Sequence, residues 1–498
     1  MEGPSGRATG SAAATPTWRW SMPLVVWLAL RLAPVPDGLT PSAWHYFAVF
    51  LAAIVTLMVT ALPGGAVGLV AVLVVTAMGY VQSDPAKSIA WALGGFADTT
   101  VWLTFGAFVF ALGYRKSGLG RRIALALVCR LGRRTLGLGY AIALSDLTLA
   151  PGTPSNTARS GGAIFPIVSQ IPPLYGSLPG PTAGRIGTYL MWTAFAATAV
   201  TSSMFVTALV PNAAALAMAH QALGLDMSWS RFALGFAPAG VLLLALVPLL
   251  AYLLVRPEVH DSAATVAWAA AELRAMGRVS RAEWTMAVLV VMAIVLWVTG
   301  NNPRVHLPLV GSNFIHPTGV VLLAASAMLL LRVISWDDLM GEREAWSVFL
   351  YFTMVLTLAD GLNRTGFIGW FAQRAAGPLH GIDPTLATAA LLALFYWCHY
   401  LFASITSHAL AVLPLLLALA GSIPGVNAPL LAMLCIYSLG LMGVISPYAT
   451  GCAPIYAGSG YIGRARFWLL GAAFGAVYFV VLLVVVWPWL ATAPVIRR

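Results

Sequence analysis

The chain alternates between long apolar runs and short polar connections. A helix needs about 20 mostly apolar residues to cross a hydrocarbon core. Runs of that kind lie near 19–35, 43–62, 64–81, 97–113, 186–205, 232–255, 284–300, 317–334, 345–360, 384–402, 430–445 and 467–490, and they predict helices there. The first is short and contains Arg31. Two regions interrupt the pattern. Residues 136–170 hold PGTPSNTARSGG at 151–162, a stretch without one large apolar side chain. Residues 395–420 hold SITSH at 404–408. Each region has an apolar arm, a polar break and a second apolar arm, which predicts a helical hairpin that enters the membrane and turns back. Irregular backbone survives at that depth only where protein or a water-filled cavity satisfies it.

The pattern also repeats. KSG at 116–118 recurs as RTG at 364–366, an offset of 248. SNT at 155–157 recurs as SIT at 404–406, an offset of 249. Ser203, Thr207 and Pro211 recur as Ser446, Thr450 and Pro454, an offset of 243. Three matches in one order at nearly one offset predict a duplication. Loop charge gives the two copies opposite character. Residues 114–134 carry Arg115, Lys116, Arg121, Arg122, Arg130, Arg133 and Arg134 without an acid, whereas 362–382 carry only Arg364 and Arg374. Basic loops stay cytoplasmic, so the copies are expected to be inverted. Inverted repeats put substrate sites near the midplane, where broken helices meet.

Composition narrows the class. Of 498 residues, 60% are hydrophobic and 9% charged, against roughly 25% charged in soluble domains. The bilayer and its lipids are therefore the expected solvent. The net charge of +11 is scattered through short loops, which fits lipid headgroups and excludes a nucleic-acid surface. Cys129, Cys398, Cys435 and Cys452 lack paired spacing and read as small buried residues. Nothing resembles a nucleotide loop, a metal cluster or a nucleophile–base pair, so an enzyme is not expected.

The breaks carry the chemistry. The start of a helix presents unpaired N–H groups and a partial positive charge, and so binds anions. Pro154, Pro166 and Pro414 help set the breaks. Ser155, Asn156 and Thr157 in the first hairpin, and Ser404 and Thr406 in the second, offer short polar groups. Thr207 with Pro211 and Thr450 with Pro454 place a hydroxyl one turn before a proline in two further breaks, near 186–222 and 430–461. The plainer alternative is a kinked span whose hydroxyls satisfy their own backbone. Asp146, Asp98 and Asp360 are rare acids in apolar surroundings; they suit a cation relay, or an ion pair or helix cap. His399 reads as packing or a local hydrogen bond.

PSNTARSGG at 154–162 and ISPYATGCAPIYAGSGYI at 445–462 resemble the divalent anion:sodium symporter (DASS) family, and most of all its citrate/2-oxoglutarate/malate translocator branch. The resemblance spans both halves. It implies an inner-membrane homodimer of bacteria with a scaffold and a moving transport domain, in which two hairpin tips and two broken helices surround a di- or tricarboxylate. Sodium-coupled members carry SNT in both hairpins. Here Asn156 keeps its position and Ile405 replaces the second.

Arg159 lies four residues after Ser155, and His408 four after Ser404. A charge at the bilayer centre costs about 2.5–3.5 kcal/mol on insertion scales and marks function by default. Both residues are expected at the site, supplying the positive charge that sodium supplies in symporters. The alternatives are an Arg159 that snorkels to an interface and a His408 that is a neutral core hydrogen-bonder. A fixed cation cannot leave with the substrate, so return with another anion bound, and hence obligate exchange, is expected. The expected substrate-binding set is Ser155, Asn156, Thr157, Arg159, Thr207, Pro211, Ser404, Thr406, His408, Thr450 and Pro454. No cofactor or metal is expected; a sodium ion, if used, would lie near Ser155, Asn156 and Thr207. A sodium-coupled symporter is the second reading, and a cation/proton antiporter a third.

The fold expected is thus an all-α polytopic membrane protein with two inverted repeats and about 11 transmembrane helices. Its expected parts are a disordered tail over 1–18, scaffold helices over 19–95, a first repeat over 96–255 with its hairpin at 136–170, and an amphipathic linker over 256–283. Further scaffold helices follow over 284–344, then a second repeat over 345–498 with its hairpin at 384–420.

Overall fold

The computed structural model of the protein describes residues 17–59, 62–299, 316–377 and 381–492. All but the last two residues of the tail expected over 1–18 lie outside these. Each expected span falls on a helix. The chain runs through α1 (Thr17–Leu32), α2 (Pro41–Val59), α3 (Gly64–Ala77), α4 (Pro85–Ala92), α5 (Thr99–Ser117) and α6 (Leu119–Leu131). The first hairpin follows as α7 (Thr135–Leu149), a break, a π-helical turn (Thr157–Ile164) and α8 (Phe165–Val168). Then come α9 (Gly187–Met204), α10 (Val210–Leu223), α11 (Trp229–Val255), α12 (Ala263–Ala275), α13 (Arg281–Thr299), α14 (Pro317–Leu330), α15 (Trp336–Gly341), α16 (Arg343–Arg364) and α17 (Phe367–Ala376). The second hairpin is α18 (Pro384–Trp397), a break and α19 (Ile405–Ser422). The chain closes with α20 (Ala428–Leu441), α21 (Ala453–Gly458), α22 (Arg464–Val481) and α23 (Trp487–Thr492). Among the described residues there is no strand, and seven helical segments are long and apolar enough to cross a membrane. The molecule is an all-α polytopic membrane protein.

The element order of 99–255 recurs over 343–492. A glycine ends α5 and α16 in the same way: Gly118 at φ 80° and Gly366 at φ 81° sit in the left-handed region that favours glycine. These are the glycines of KSG and RTG. Helices α5 and α16 pack together, and Arg115 near the end of α5 bonds Glu342 at the start of α16. The two equivalent helices therefore run in opposite directions.

The basic stretch of 114–134 is met by acids from the middle of the chain. Lys116 pairs with Asp338 at 2.6 Å, Arg121 with Glu272 at 2.5 Å and Arg122 with Glu283 at 2.5 Å. The Lys116 ammonium and the Ser335 N–H hold the half-buried Asp338 carboxyl down to about 2. The expected linker forms α12, which lies on α6 through the Arg121–Glu272 pair.

Two apolar cores result. The larger surrounds α9, every residue of which is buried, and takes in both hairpins and both broken helices. The smaller joins α2, α3 and α4 to one face of α16 and the start of α17, through Tyr46, Phe50, Val72, Met354, Leu358 and Phe367. In the larger core α20 crosses α9 closely at Gly440, where a Cβ would lie 2.7 Å from Ala199 O and 2.4 Å from Ser203 Oγ. Backbone cannot retreat as a side chain can, and overpacking costs about 1–3 kcal/mol. Gly440→Ala is expected to lower the melting temperature of the detergent-solubilised protein; an unchanged melting curve would mean that the crossing is loose.

Candidate functional site

Both hairpins break in the same way. After α7 the chain tightens over Ala150–Gly152 and extends at Thr153, with φ −136° and ψ 99°. After α18 it tightens over Cys398–Leu401 and extends at Phe402 and Ser404. The returning arm then starts on a capping serine. Ser155 Oγ accepts from Ala158 N at 3.1 Å, and Ser404 Oγ from Ser407 N at 3.3 Å. Capping of this kind satisfies one of the four orphan donors at a helix start and leaves others. The broken helices supply the remaining wall. Helix α9 ends at Met204, the chain extends at Phe205 and Leu209, and α10 begins at Val210, whose N–H donates to Pro154 O at 2.9 Å. Helix α20 ends at Leu441, and the chain is irregular from Ile445 to Cys452.

These four interruptions converge on one cavity of about 240 Å³. It is lined by Pro154 to Thr157, Leu209 to Pro211, Ala403 to Thr406, Thr450 and Gly451, with Phe108 from α5 and Glu344, Val348 and Tyr351 from α16. The volume lies below the roughly 300–1,000 Å³ of pockets for drug-sized ligands and suits a small molecule. Three helix starts border it: the returning arm at Asn156 and Thr157, α10 at Val210, and α19 at Ile405. Their positive ends and the short hydroxyl and amide side chains make the wall a set of donors suited to an anion. Asn156 is buried and donates to Thr450 Oγ1 at 2.7 Å, tying the first hairpin to the second break. Gly451 makes that approach possible: a Cβ there would lie 2.2 Å from Thr157 Oγ1.

Of the expected site residues, Ser155, Asn156, Thr157, Pro211, Ser404, Thr406 and Thr450 line this cavity. Arg159, Thr207, His408 and Pro454 do not. Thr207 donates to Pro151 O at 2.6 Å and accepts from Trp229 Nε1 at 3.0 Å. Pro454 lies in the first turn of the short α21.

Arg159 stands behind the wall, with no exposed surface. Its Nε donates to Asp146 Oδ2 at 3.1 Å, and its Nη1 donates to Thr153 O at 2.7 Å and Ala208 O at 2.9 Å. Its Nη2 donates to Ser202 Oγ at 2.8 Å and reaches Thr198 and Thr201. The guanidinium has five N–H groups, and these contacts account for all of them. The side chain therefore does not snorkel, and Asp146 balances its charge inside the first repeat. An unpaired arginine is not what would forbid empty return. The guanidinium instead fills a cage of carbonyl and hydroxyl oxygens between hairpin and broken helix. The other rare acids are also engaged: Asp98 caps α5 through Thr100 N at 2.7 Å, and Asp360 pairs with Arg364 at 2.5 Å.

The second hairpin uses histidines in the equivalent place. His399 Nε2 lies 2.8 Å from Ala449 O, and His399 Nδ1 lies 3.1 Å from His408 Nδ1. A carbonyl only accepts, so His399 Nε2 carries a proton. With His399 neutral, its Nδ1 accepts from His408 Nδ1–H, and His408 Nε2 faces Cys398 Sγ at 3.9 Å. This chain satisfies both rings without a charge. His399, which reads from sequence as packing, thus ties the second hairpin to the second break, as Arg159 ties the first hairpin to the first.

Sequence reasoning missed Glu344. It is the one formally charged side chain among the described residues that line the cavity, and its Oε1 accepts from Ser155 Oγ at 2.9 Å. In DDLMGEREAW it reads as an ordinary acid at the edge of a span.

Comparison with known proteins agrees with this architecture. A family model described as the sodium:sulfate symporter transmembrane region matches residues 14–493. The chain is 45% identical over 487 residues to a citrate/succinate antiporter of Escherichia coli K12, covering 95% of this chain and 98% of that one. It is 41% identical over 489 residues to an L-tartrate/succinate antiporter of the same strain, covering 96% and 98%. Among solved structures it resembles the YdaH transporter of Alcanivorax borkumensis, with a TM-score of 0.59 at 15% identity over 87% of this chain and 99% of that one. It also resembles MtrF of Neisseria gonorrhoeae, with a TM-score of 0.56 at 13% identity over 88% and 97%. At those identities the likeness concerns the fold alone.

Proposed function

The chain belongs to the sodium:sulfate symporter family, the divalent anion:sodium symporters, and from that premise we propose that it is a secondary transporter that exchanges small di- or tricarboxylates across the cytoplasmic membrane of a bacterium. One observation carries the reading: two hairpin tips and two helix breaks meet at a single small cavity walled by hydroxyls, an amide and helix starts. Such a wall donates to carboxylate oxygens. Ser155, Asn156, Thr157, Ser404, Thr406 and Thr450 are the proposed contacts, with Pro211 shaping the wall. Arg159, Thr207, His408 and Pro454 act from behind it, by holding the breaks in position.

The chemistry behind the wall favours exchange without sodium. A sodium ion needs converging oxygen acceptors. Thr153 O and Ala208 O converge between the first hairpin and the first break, and Arg159 N–H groups occupy both. Ala449 O in the second half is taken by His399. Protein donors thus occupy three carbonyls of the breaks that could otherwise help to hold an ion, which supports the reading without sodium. Elevator-type movement of the hairpins and broken helices as one unit within a homodimer is the motion that belongs to this reading.

Uptake of labelled succinate, citrate or tartrate into proteoliposomes tests it. Uptake is expected into vesicles preloaded with a carboxylate and not into empty ones, with equal rates in sodium and in potassium. Uptake into empty vesicles that depends on a sodium gradient would instead establish a symporter.

A further inference from the structure

Ser155 and Glu344 sit on different elements, the first hairpin and α16. Ser155 starts the returning arm of the first hairpin, which is packed in the larger core. Glu344 lies in the first turn of α16, one face of which adds Ala345, Phe349 and Phe352 to the larger core and another Met354, Leu358 and Leu362 to the smaller core around α2 and α3. The hydrogen bond between them, at 2.9 Å, crosses the cavity where the hairpin meets α16. We infer that Glu344 is a stand-in for the substrate carboxylate: it holds the empty hairpin tip against α16, and an incoming anion displaces it.

The chemistry makes the two occupants exclusive. A serine hydroxyl has one proton to give, and Ser155 Oγ gives it to Glu344. The oxygen itself already accepts from Ala158 N. A substrate carboxylate that takes the Ser155 proton must evict the Glu344 carboxylate. Two like charges a few ångströms apart in a cavity of about 240 Å³ also repel. Glu344 is exposed apart from this contact, so once evicted it is stable in water. Substrate binding therefore unfastens the hairpin from α16, and substrate release refastens it.

A coupling rule follows, which rests on the exchange reading above. A loaded transporter is free to move and an empty one is held, so one carboxylate must replace another before the hairpin returns. This device does not need an unpaired arginine. A hydrogen bond to a charged group shifts an equilibrium by about ten- to a hundredfold, and solvent exposure puts this one at the low end.

The test compares wild type with Glu344→Ala and Glu344→Gln in proteoliposomes, loaded or empty, using labelled succinate. In wild type, loaded vesicles are expected to take up succinate and empty ones not to. In Glu344→Ala, the ratio of loaded to empty rates is expected to fall about tenfold and the KM for succinate to fall with it, while exchange persists. Glu344→Gln keeps an acceptor but no charge and is expected to lie between the two. It is nearly isosteric at an exposed position, so it reports even if the alanine variant folds poorly. An unchanged ratio and KM in a folded variant overturns the inference, as does loss of exchange together with net uptake. A wild type that fills empty vesicles as fast as loaded ones overturns the exchange reading and this inference with it, whereas an unchanged variant beside an exchanging wild type overturns the Glu344 role alone. A wild type that takes up no carboxylate overturns the exchange reading and this inference with it.

Discussion

Arg159→Met is expected to destabilise the protein by about 3–5 kcal/mol, and Asp146→Asn in the same chain to recover a large part of that loss. The side chain is fully buried and makes contacts to one carboxylate, two carbonyls and three hydroxyls. Removing it leaves the Asp146 charge in the core with only Thr201 as a partner, because Asp146 Oδ1 has none. It also strips Thr153 O and Ala208 O of their donor, and an unsatisfied buried group costs about 1–3 kcal/mol. Asp146→Asn removes the uncompensated charge but returns no donor to those carbonyls, so recovery is partial. A double-mutant cycle on unfolding in detergent measures the coupling. Equal losses in the single and double variants, with no coupling, would mean that Asp146 does not balance Arg159. A lysine cannot repeat the planar, five-donor contact, so Arg159→Lys is expected to resemble Arg159→Met more than wild type.

Much of this was legible in the chain because it is local. Spans show by length and apolarity, and breaks by proline, glycine and serine at a depth where regular helix is otherwise obligatory. The internal repeat was legible because the same backbone task selects the same residue: glycine at the left-handed positions 118 and 366, and serine at the caps 155 and 404. What the sequence hid was long-range. Asp146 and Arg159 are thirteen residues apart on opposite arms of the hairpin, so no periodicity pairs them. His399 and His408 are nine apart across a break. Spacing that aligned Arg159 with His408 suggested two cations facing the substrate. The fold turns both behind the wall, where one is matched by an acid and the other hydrogen-bonds a neighbouring ring. Glu344 reaches the cavity from α16, 189 residues further along the chain, and only tertiary structure brings it to Ser155.

Asn156→Asp should abolish carboxylate exchange. Asn156 is buried in the cavity wall and its amide donates to Thr450 Oγ1 at 2.7 Å. A threonine hydroxyl both donates and accepts. It can turn and donate to an aspartate at the same distance, so the tie between the first hairpin and the second break persists. What changes is the sign of the wall. A fixed negative charge about 5 Å from a substrate carboxylate costs about 3 kcal/mol per charge at an effective dielectric of about 20, or roughly a hundredfold in affinity. A dianion meets that penalty more than once. Asn156→Ala removes the tie without adding charge, and its expected loss is that of one buried hydrogen bond, about 1–2 kcal/mol, shared between stability and binding. The two variants therefore separate charge from packing. Both variants should melt below wild type, Asp because it buries a charge and Ala because it loses the tie, whereas Asp should transport worst and Ala better than Asp. Melting curves and exchange rates measured on the same preparations decide it. Transport by Asn156→Asp at the wild-type rate would move the anion away from this wall, and with it the role given to the hairpin tips.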